Sequence, residues 1–325
     1  MCTSIALNTP DFYFGRNLDL ECSFGEQVVI TPRRYPFRFR QAEEIPRHFA
    51  MIGMAAPIDD YPLYAEAMNE KGLAMAGLNF PGNAWYDPEP RPEKQNISPF
   101  ELIPWVLSQC ENIHQARDLL RRTHLIALPF QKDYPLSPLH WHIADESGSL
   151  TLEATQRSME IMDNPVGVLT NNPPFDFHLA NLRQYQHLSA LQAENHFAAG
   201  LDLAPFSRGM GAIGLPGDLS SPSRFIRAAF MKWNSCCEST ADSAVSQFFH
   251  LLSGVAMPRG SVRLENGQME ITRYSCCMQK KGCIFYYTTY ENHQLTAVDM
   301  LKENLDSHKL ICYPLHRAQS LRREN

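Results

Sequence analysis

The sequence predicts an α+β fold of two mainly antiparallel sheets packed between helical layers, and three observations carry that reading. Short β-prone runs punctuated by turn signals fill the first part of the chain. Two helix-start signals follow, then a second group of short strands, then helical periodicity, then strands again. Regular strand-helix-strand alternation, the mark of a parallel sheet, is lacking. Layers of like elements in a single domain over residues 1–325 are therefore expected.

Residues 2–7 and 12–14 surround the turn signal Asn8-Thr9-Pro10-Asp11 and read as a hairpin whose second strand continues to Glu21. Side chains alternate along a strand, so Arg16 and Leu18 share one face and Asn17 takes the other. Further strands are expected over 27–31 and 48–55, with a loop at 58–62. Residues 66–79 read as a strand pair turning at Asn69-Glu70-Lys71-Gly72. Ser98-Pro99-Phe100-Glu101 is a capping box with proline at the first helical position, so a helix follows. Asn112 caps a second helix through Arg122, with Ile113, Ala116, Leu119 and Leu120 on one face. Three prolines make 125–139 a loop. Strands over 140–143, 149–154 and 159–162 come next, and a short one over 166–170 ends in Asn171-Asn172-Pro173-Pro174. Helices are predicted over 175–191, 223–233 and 241–255, and strands return over 274–278, 283–289 and 294–299.

With 325 residues, 44% hydrophobic and 20% charged, the chain is long and apolar enough to bury a substantial core. A net charge of −6 without basic runs gives no attraction to phosphate backbones or anionic membranes, so nucleic acid is not an expected partner. No apolar stretch approaches the ~20 residues of a membrane span. Asn8, Pro10 and Asp11 break the pattern a secretory signal would need. The nine cysteines are odd in number and lack framework spacing, and the expected compartment is the cytoplasm.

Several motifs fail on context. Gly209-Met210-Gly211-Ala212-Ile213-Gly214 matches a dinucleotide fingerprint, but no strong strand precedes it and Pro216 follows where a helix should run. His140-Trp141-His142 presents two imidazoles without a ligand cluster beside them, so core histidines are the better account. The pairs Cys236-Cys237 and Cys276-Cys277 lack the spacer of redox motifs, which argues against a cysteine-dependent redox protein.

Cys2 stands one residue behind the initiator. Removal of Met1, which a small second side chain favours, leaves a sulfur nucleophile and an α-amine of ordinary pKa about 7.7–8.0 on one residue. That amine is a base for the thiol proton. The returning hairpin strand brings Arg16 and Asp19 toward Cys2. A guanidinium there favours thiolate, and a carboxylate accepting from the amine orients it. Asn79 and Asn171, at strand ends, suit donation to a developing oxyanion, although each alone reads better as a turn former. Arg224, behind Ser221-Pro222, is a surface residue or a second cation.

Across the chain stand Met1-Cys2-Thr3, Phe14-Gly15-Arg16-Asn17-Leu18-Asp19, Asp59-Asp60-Tyr61-Pro62, Met68-Asn69-Glu70-Lys71-Gly72-Leu73, Gly77-Leu78-Asn79-Phe80-Pro81, Leu169-Thr170-Asn171-Asn172-Pro173, Gly214-Leu215-Pro216-Gly217-Asp218 and Ser223-Arg224-Phe225. In these the sequence resembles, nearly end to end, the choloylglycine hydrolase family: conjugated bile acid hydrolases and penicillin V acylases, among the N-terminal nucleophile hydrolases. The resemblance implies a four-layer αββα sandwich, a homotetramer, and no metal or other cofactor. It implies Cys2 as nucleophile, Arg16 and Asp19 setting its protonation, Asn79 and Asn171 on the oxyanion, and Arg224 completing the electrostatics. Leu18, Ile58, Ala65, Phe130, Tyr134 and Leu139, with polar Ser137, match pocket positions. Arg208, in Ser207-Arg208-Gly209, matches a loop tied in some relatives to glycine over taurine preference. Asn79 favours the bile acid branch, since a tyrosine is common there in penicillin V acylases.

The expected reaction is hydrolysis of the amide of glycine- or taurine-conjugated bile acids through a thioester on Cys2. The alternatives are an acylase for penicillin V or another N-acyl substrate, and a catalytically silent bile-acid-binding relative.

Overall fold

The computed structural model describes Met1–Asn325, and its first two strands place the functional residues. β1 (Cys2–Asn8) and β2 (Phe12–Leu20) form the expected hairpin. Asp11 closes its turn: its Oδ1 accepts from Phe12 N–H at 2.8 Å and its carbonyl from Thr9 N–H at 3.0 Å. The register sets Cys2 opposite Leu18 and Ser4 opposite Arg16. Opposed residues share a face, so all four point the same way, and a slip of one residue would turn Arg16 and Leu18 from it.

The first sheet runs in the order β12 (Val168–Leu169), β1, β2, β14 (Met269–Gln279), β15 (Ile284–Thr289) and β16 (Thr296–Asp299), with β13 (Val262–Arg263) also paired to β14. Gly15 makes the β2–β14 approach possible, because a Cβ there would lie 1.9 Å from the Cys276 carbonyl oxygen. The second sheet has eight strands in the order β11 (Met159–Asp163), β10 (Gly148–Ala154), β9 (Leu139–Asp145), β6 (Ala74–Asn79), β5 (Tyr61–Asn69), β4 (Met51–Ile58), β3 (Gln27–Thr31) and β17 (Ile311–Pro314). All these pairings are antiparallel. A separate parallel pair joins β7 (Gln95–Ile97) and β8 (Thr123–Leu125).

The sheets face each other through β1, β2, β6 and β9. Helices α1 (Leu102–Gln109) and α2 (Ile113–Arg122) cover the second sheet. On the first sheet lie α4 (Ser221–Trp233) and α5 (Ala241–Ser253), with α3 (Phe175–Leu182) against α4. Local chemistry starts these helices. Asn112 Oδ1 accepts from Gln115 N–H at 3.0 Å, and Thr240 caps α5 through Ser243 N–H at 3.2 Å. Such caps contribute about 1 kcal/mol each. Glu101 accepts from Ser98 N–H at 2.9 Å in the capping box expected there, which opens a 3₁₀ turn at Pro99–Glu101 ahead of α1. α5 buries Val245, Phe248, Leu251 and Leu252 along one stripe, about 1.5–3 kcal/mol for each side chain.

Four expectations need correction. The predicted loop at 58–62 shrinks to Asp59-Asp60, because both aspartates adopt positive φ (50° and 59°) and close a two-residue hairpin. The strand at 166–170 pairs only through Val168–Leu169. The helix expected to reach Leu191 ends at Leu182 and passes into a 3₁₀ turn at Arg183–Tyr185. Only Phe175 and His178 of α3 are fully buried, so little packing sustains a longer helix. The strand expected over 48–55 runs instead from Met51 to Ile58, and the ring nitrogens of His48 lie 2.7 and 2.8 Å from the loop carbonyls of Phe49 and Tyr35. Strands β7, β8, β13 and β17 carry no strong local signal. All are two to four residues long; β7, β8 and β17 depend on partners distant in the chain, and β13 on a short hairpin with β14.

Candidate active site

Cys2 is 3% exposed, at the end of the first sheet. Its backbone N–H donates to Asn171 Oδ1 at 2.7 Å. Arg224 reaches in from α4: Nη2 donates to the same Asn171 oxygen at 2.8 Å, and Nη1 to the Cys2 carbonyl at 2.5 Å and Thr3 Oγ1 at 2.6 Å. Asn171 is anchored in turn by Ser221 Oγ, which accepts its N–H at 2.8 Å, and by His178 Nε2–H, which donates to its carbonyl at 2.9 Å. Its Nδ2 donates to the Asn79 carbonyl at 2.7 Å. Asn171 thus ties three separate parts of the chain to the nitrogen of Cys2.

Met1 is retained here. Its ammonium donates to the Asp19 carbonyl at 2.7 Å and contacts the Glu270 carboxylate, while Asp19 N–H donates to the Met1 carbonyl at 2.9 Å. Burial lowers the pKa of this amine, against the opposing pull of Cys2 and Asp19. Asp19 is fully buried. Its Oδ1 accepts from Thr272 Oγ1 at 2.6 Å and its Oδ2 has no partner. Burial raises the Asp19 carboxyl, with Arg224 the main counterweight. The sequence reading gave Asp19 the α-nitrogen and Asn171 the oxyanion. In the geometry before Met1 removal, the α-nitrogen is held by Asn171, whose donor group is already bonded to Asn79.

Arg16 lies on the other face of β2, between the sheets. Its Nη1 donates to the Gly77 carbonyl at 2.6 Å and meets Glu66 Oε2 at 3.4 Å. Burial would lower the guanidinium's proton affinity, but Cys2 and Glu66 more than offset it, and the pKa ends above its ordinary value. Glu66 accepts from the Tyr274 hydroxyl on both oxygens at 2.9 Å.

Cys2 and Arg16 open into a cleft of about 360 Å³. Sixteen of its 24 lining residues are hydrophobic, so the body of its ligand is apolar with few polar anchors. Leu18, Ile58, Ala65, Asn79, Phe130, Tyr134, Ser137 and Leu139 all line it. Phe130 is packed by Tyr61, Phe100 and Tyr134 at ring distances of 5.7, 5.3 and 6.0 Å. Tyr86 pins this wall, its hydroxyl accepting from Leu139 N–H at 2.8 Å and donating to the Ser137 carbonyl at 2.9 Å. Arg208 is exposed and is not among the lining residues, because 201–209 is an irregular stretch on the surface. A groove of about 780 Å³ at the other end of the hairpin, by Asn8 and Thr9, contains none of the residues around Cys2. Size alone does not locate the site.

The two strand histidines have protein partners: His140 between Glu153 (2.9 Å) and the Thr170 carbonyl (3.0 Å), and His142 against Ser4 Oγ at 2.8 Å. Glu66, Tyr274, Tyr86 and Ser221 escaped sequence reasoning. A signal existed only for Glu66, a carboxylate in phase with the buried Met68 along a strand.

A family model described as linear amide C–N hydrolases, choloylglycine hydrolase family, matches residues 2–313. The chain is 48% identical over 316 residues to the bile salt hydrolase/transferase of Lactiplantibacillus plantarum, covering 97% of each. It is 38% identical over 330 residues to that of Clostridium perfringens, covering 100% of both. A crystal structure of a mutant conjugated bile acid hydrolase from Clostridium perfringens superposes with a TM-score of 0.92 over 100% of both chains, at 38% identity. Penicillin V acylase from Agrobacterium tumefaciens shares the fold, with a TM-score of 0.75 at 18% identity over 98% of this chain and 94% of its own.

Proposed function

This chain belongs to the choloylglycine hydrolase family of linear amide C–N hydrolases, and on that footing we propose that it cleaves the amide of glycine- and taurine-conjugated bile acids. The products are the free bile acid and the amino acid. The observation that carries the reading is a cysteine at position 2, beside a buried arginine, at the inner end of an apolar cleft.

Loss of Met1 turns the Cys2 nitrogen into an amine already placed against Asn171 Oδ1. The same cut frees the Asp19 backbone groups that Met1 occupies. The sulfur gives its proton to the amine and attacks the amide carbon, with the guanidinium of Arg16 balancing the negative charge on sulfur. Asn79, which lines the cleft, donates to the tetrahedral oxygen, and Asn171 joins it if its amide leaves the Asn79 carbonyl. The C–N bond breaks as the amine returns its proton to the leaving nitrogen. Water then attacks the thioester by the same route, releasing the bile acid and restoring the thiol.

A substrate panel tests this. Glycocholate and taurocholate are expected to turn over at least roughly tenfold faster, in kcat/KM, than penicillin V. A faster penicillin V reaction would make the chain an acylase of that type, and binding without turnover would make it a silent relative.

The homotetramer is supported by exposed apolar side chains between residues 189 and 213. Leu191, Phe197, Phe206 and Ile213 are 77%, 86%, 88% and 62% exposed. Light scattering is expected to give the tetramer mass, with Phe197→Ser and Phe206→Ser together dissociating it. A monomeric parent protein would refute the assembly. Nine unpaired cysteines support a cytoplasmic location, to be checked by cell fractionation.

A further inference from the structure

We propose that Glu66 is a positioning residue for this reaction, one that holds the Arg16 guanidinium and sets how much of its positive charge reaches the Cys2 sulfur. The proposal rests on the reading of Cys2 as nucleophile.

Two buried arginines flank β2, each matched to its own carboxylate. Arg224 and Asp19 lie on the helical side. Arg16 and Glu66 lie between the sheets, both fully buried, 3.4 Å apart. The other acceptors around Arg16 are neutral carbonyls: Gly77 at 2.6 Å, Ala65 at 3.4 Å and Asn17 at 3.4 Å. Glu66 is therefore the one carboxylate in contact with this guanidinium. Tyr274 and Cys276, neighbours on β14, aim their hydroxyl (2.9 Å) and thiol (3.5 Å) at Glu66 and fix it from the first sheet. Its register partners on β4 and β6, Met54 and Ala76, carry no charge. No other titratable group touches it.

The Cys2 thiolate and Glu66 both pull on Arg16. When Glu66 is ionised the two anions share one cation. When Glu66 is neutral the whole charge faces the sulfur. Burial pushes the Glu66 carboxyl up to about 7, against the pull of Arg16 and the Tyr274 hydroxyl, so this sharing changes within the working range of an enzyme. Tyr274 and Cys276 are themselves raised by burial and stay neutral throughout.

The test uses Glu66→Gln and Tyr274→Phe in protein whose N-terminus is verified as Cys2. The readouts are kcat/KM for glycocholate and the rate of Cys2 alkylation by iodoacetamide, followed over roughly pH 5 to 9. In the parent, both rates rise with pH as thiol and amine deprotonate, and ionisation of Glu66 is expected to put a step near pH 7 where that rise flattens. In Glu66→Gln the step disappears: the rates match the parent's on the acid side and stand roughly tenfold above it at the alkaline end. KM stays within about twofold, because Glu66 does not line the cleft. Tyr274→Phe removes a bond that favours the carboxylate, so its step moves to higher pH. Equal losses at every pH in Glu66→Gln, or an unmoved profile, overturn the proposal. Should Glu66→Gln not fold, the Tyr274→Phe midpoint decides, and an unshifted one overturns it. Cys2→Ser separates the two readings. If that variant is inactive and the Glu66→Gln profile is unchanged, only the role of Glu66 falls; if it keeps full turnover, the nucleophile assignment falls first.

Discussion

Protein carrying Cys2→Ala is expected to release no bile acid above background, a loss of roughly 10⁴- to 10⁶-fold in kcat. Retention of Met1 on an otherwise unchanged chain should cost as much. The two results have different causes. Alanine removes the sulfur but leaves the α-nitrogen against Asn171 Oδ1, whereas Met1 leaves the sulfur and converts the base into an amide that cannot take a proton. Neither change threatens the fold. The cysteine is small, and deleting its sulfur should cost only about 1 kcal/mol. Product release is measured by chromatography alongside intact-mass determination of the N-terminus. Full activity in a chain retaining Met1 would remove the amine from the mechanism and leave the sulfur to be activated by Arg16 alone.

That coupling of two groups on one residue was legible in the sequence, and so were the hairpin and its consequences. The pattern of residues 2–21 sets β1 against β2, and the register alone places Arg16 on the same face as Cys2. Helix α2 was equally plain, because Asn112 and an apolar stripe specify it locally. Groups whose partners lie far along the chain were not legible. Glu66 meets Arg16 fifty residues away and Tyr274 over two hundred away, so its role exists only once two sheets face each other. Strand β17 is a strand only because β3 offers an edge. The family resemblance supplied what local reasoning could not, a common site for Asn79, Asn171 and Arg224. It did not supply the partners those residues choose. With Met1 in place the Cys2 nitrogen meets Asn171 Oδ1 rather than Asp19, and Arg208 does not line the cleft.

Arg224 carries the second large effect, and its substitution should split stability from catalysis. In Arg224→Met the loss is expected to be about 3–5 kcal/mol of stability, because Asp19 stays buried without its main counterion. Activity should fall further than that instability explains, by roughly 10³-fold in kcat/KM. The reason is geometric. One planar fork reaches Asn171 Oδ1 through Nη2, and the Cys2 carbonyl and Thr3 Oγ1 through Nη1, so it fixes the nucleophile and the group holding its nitrogen relative to each other. Arg224→Lys separates the contributions. An ammonium restores charge opposite Asp19, but from a single point it cannot span both sets of acceptors. Most of the stability should therefore return in urea denaturation while kcat/KM remains at least about tenfold below the parent. If lysine restores both, charge alone is what the site requires and the fork is incidental. If it restores neither, the contribution of Arg224 lies in packing beneath α4, where its side chain is wholly buried.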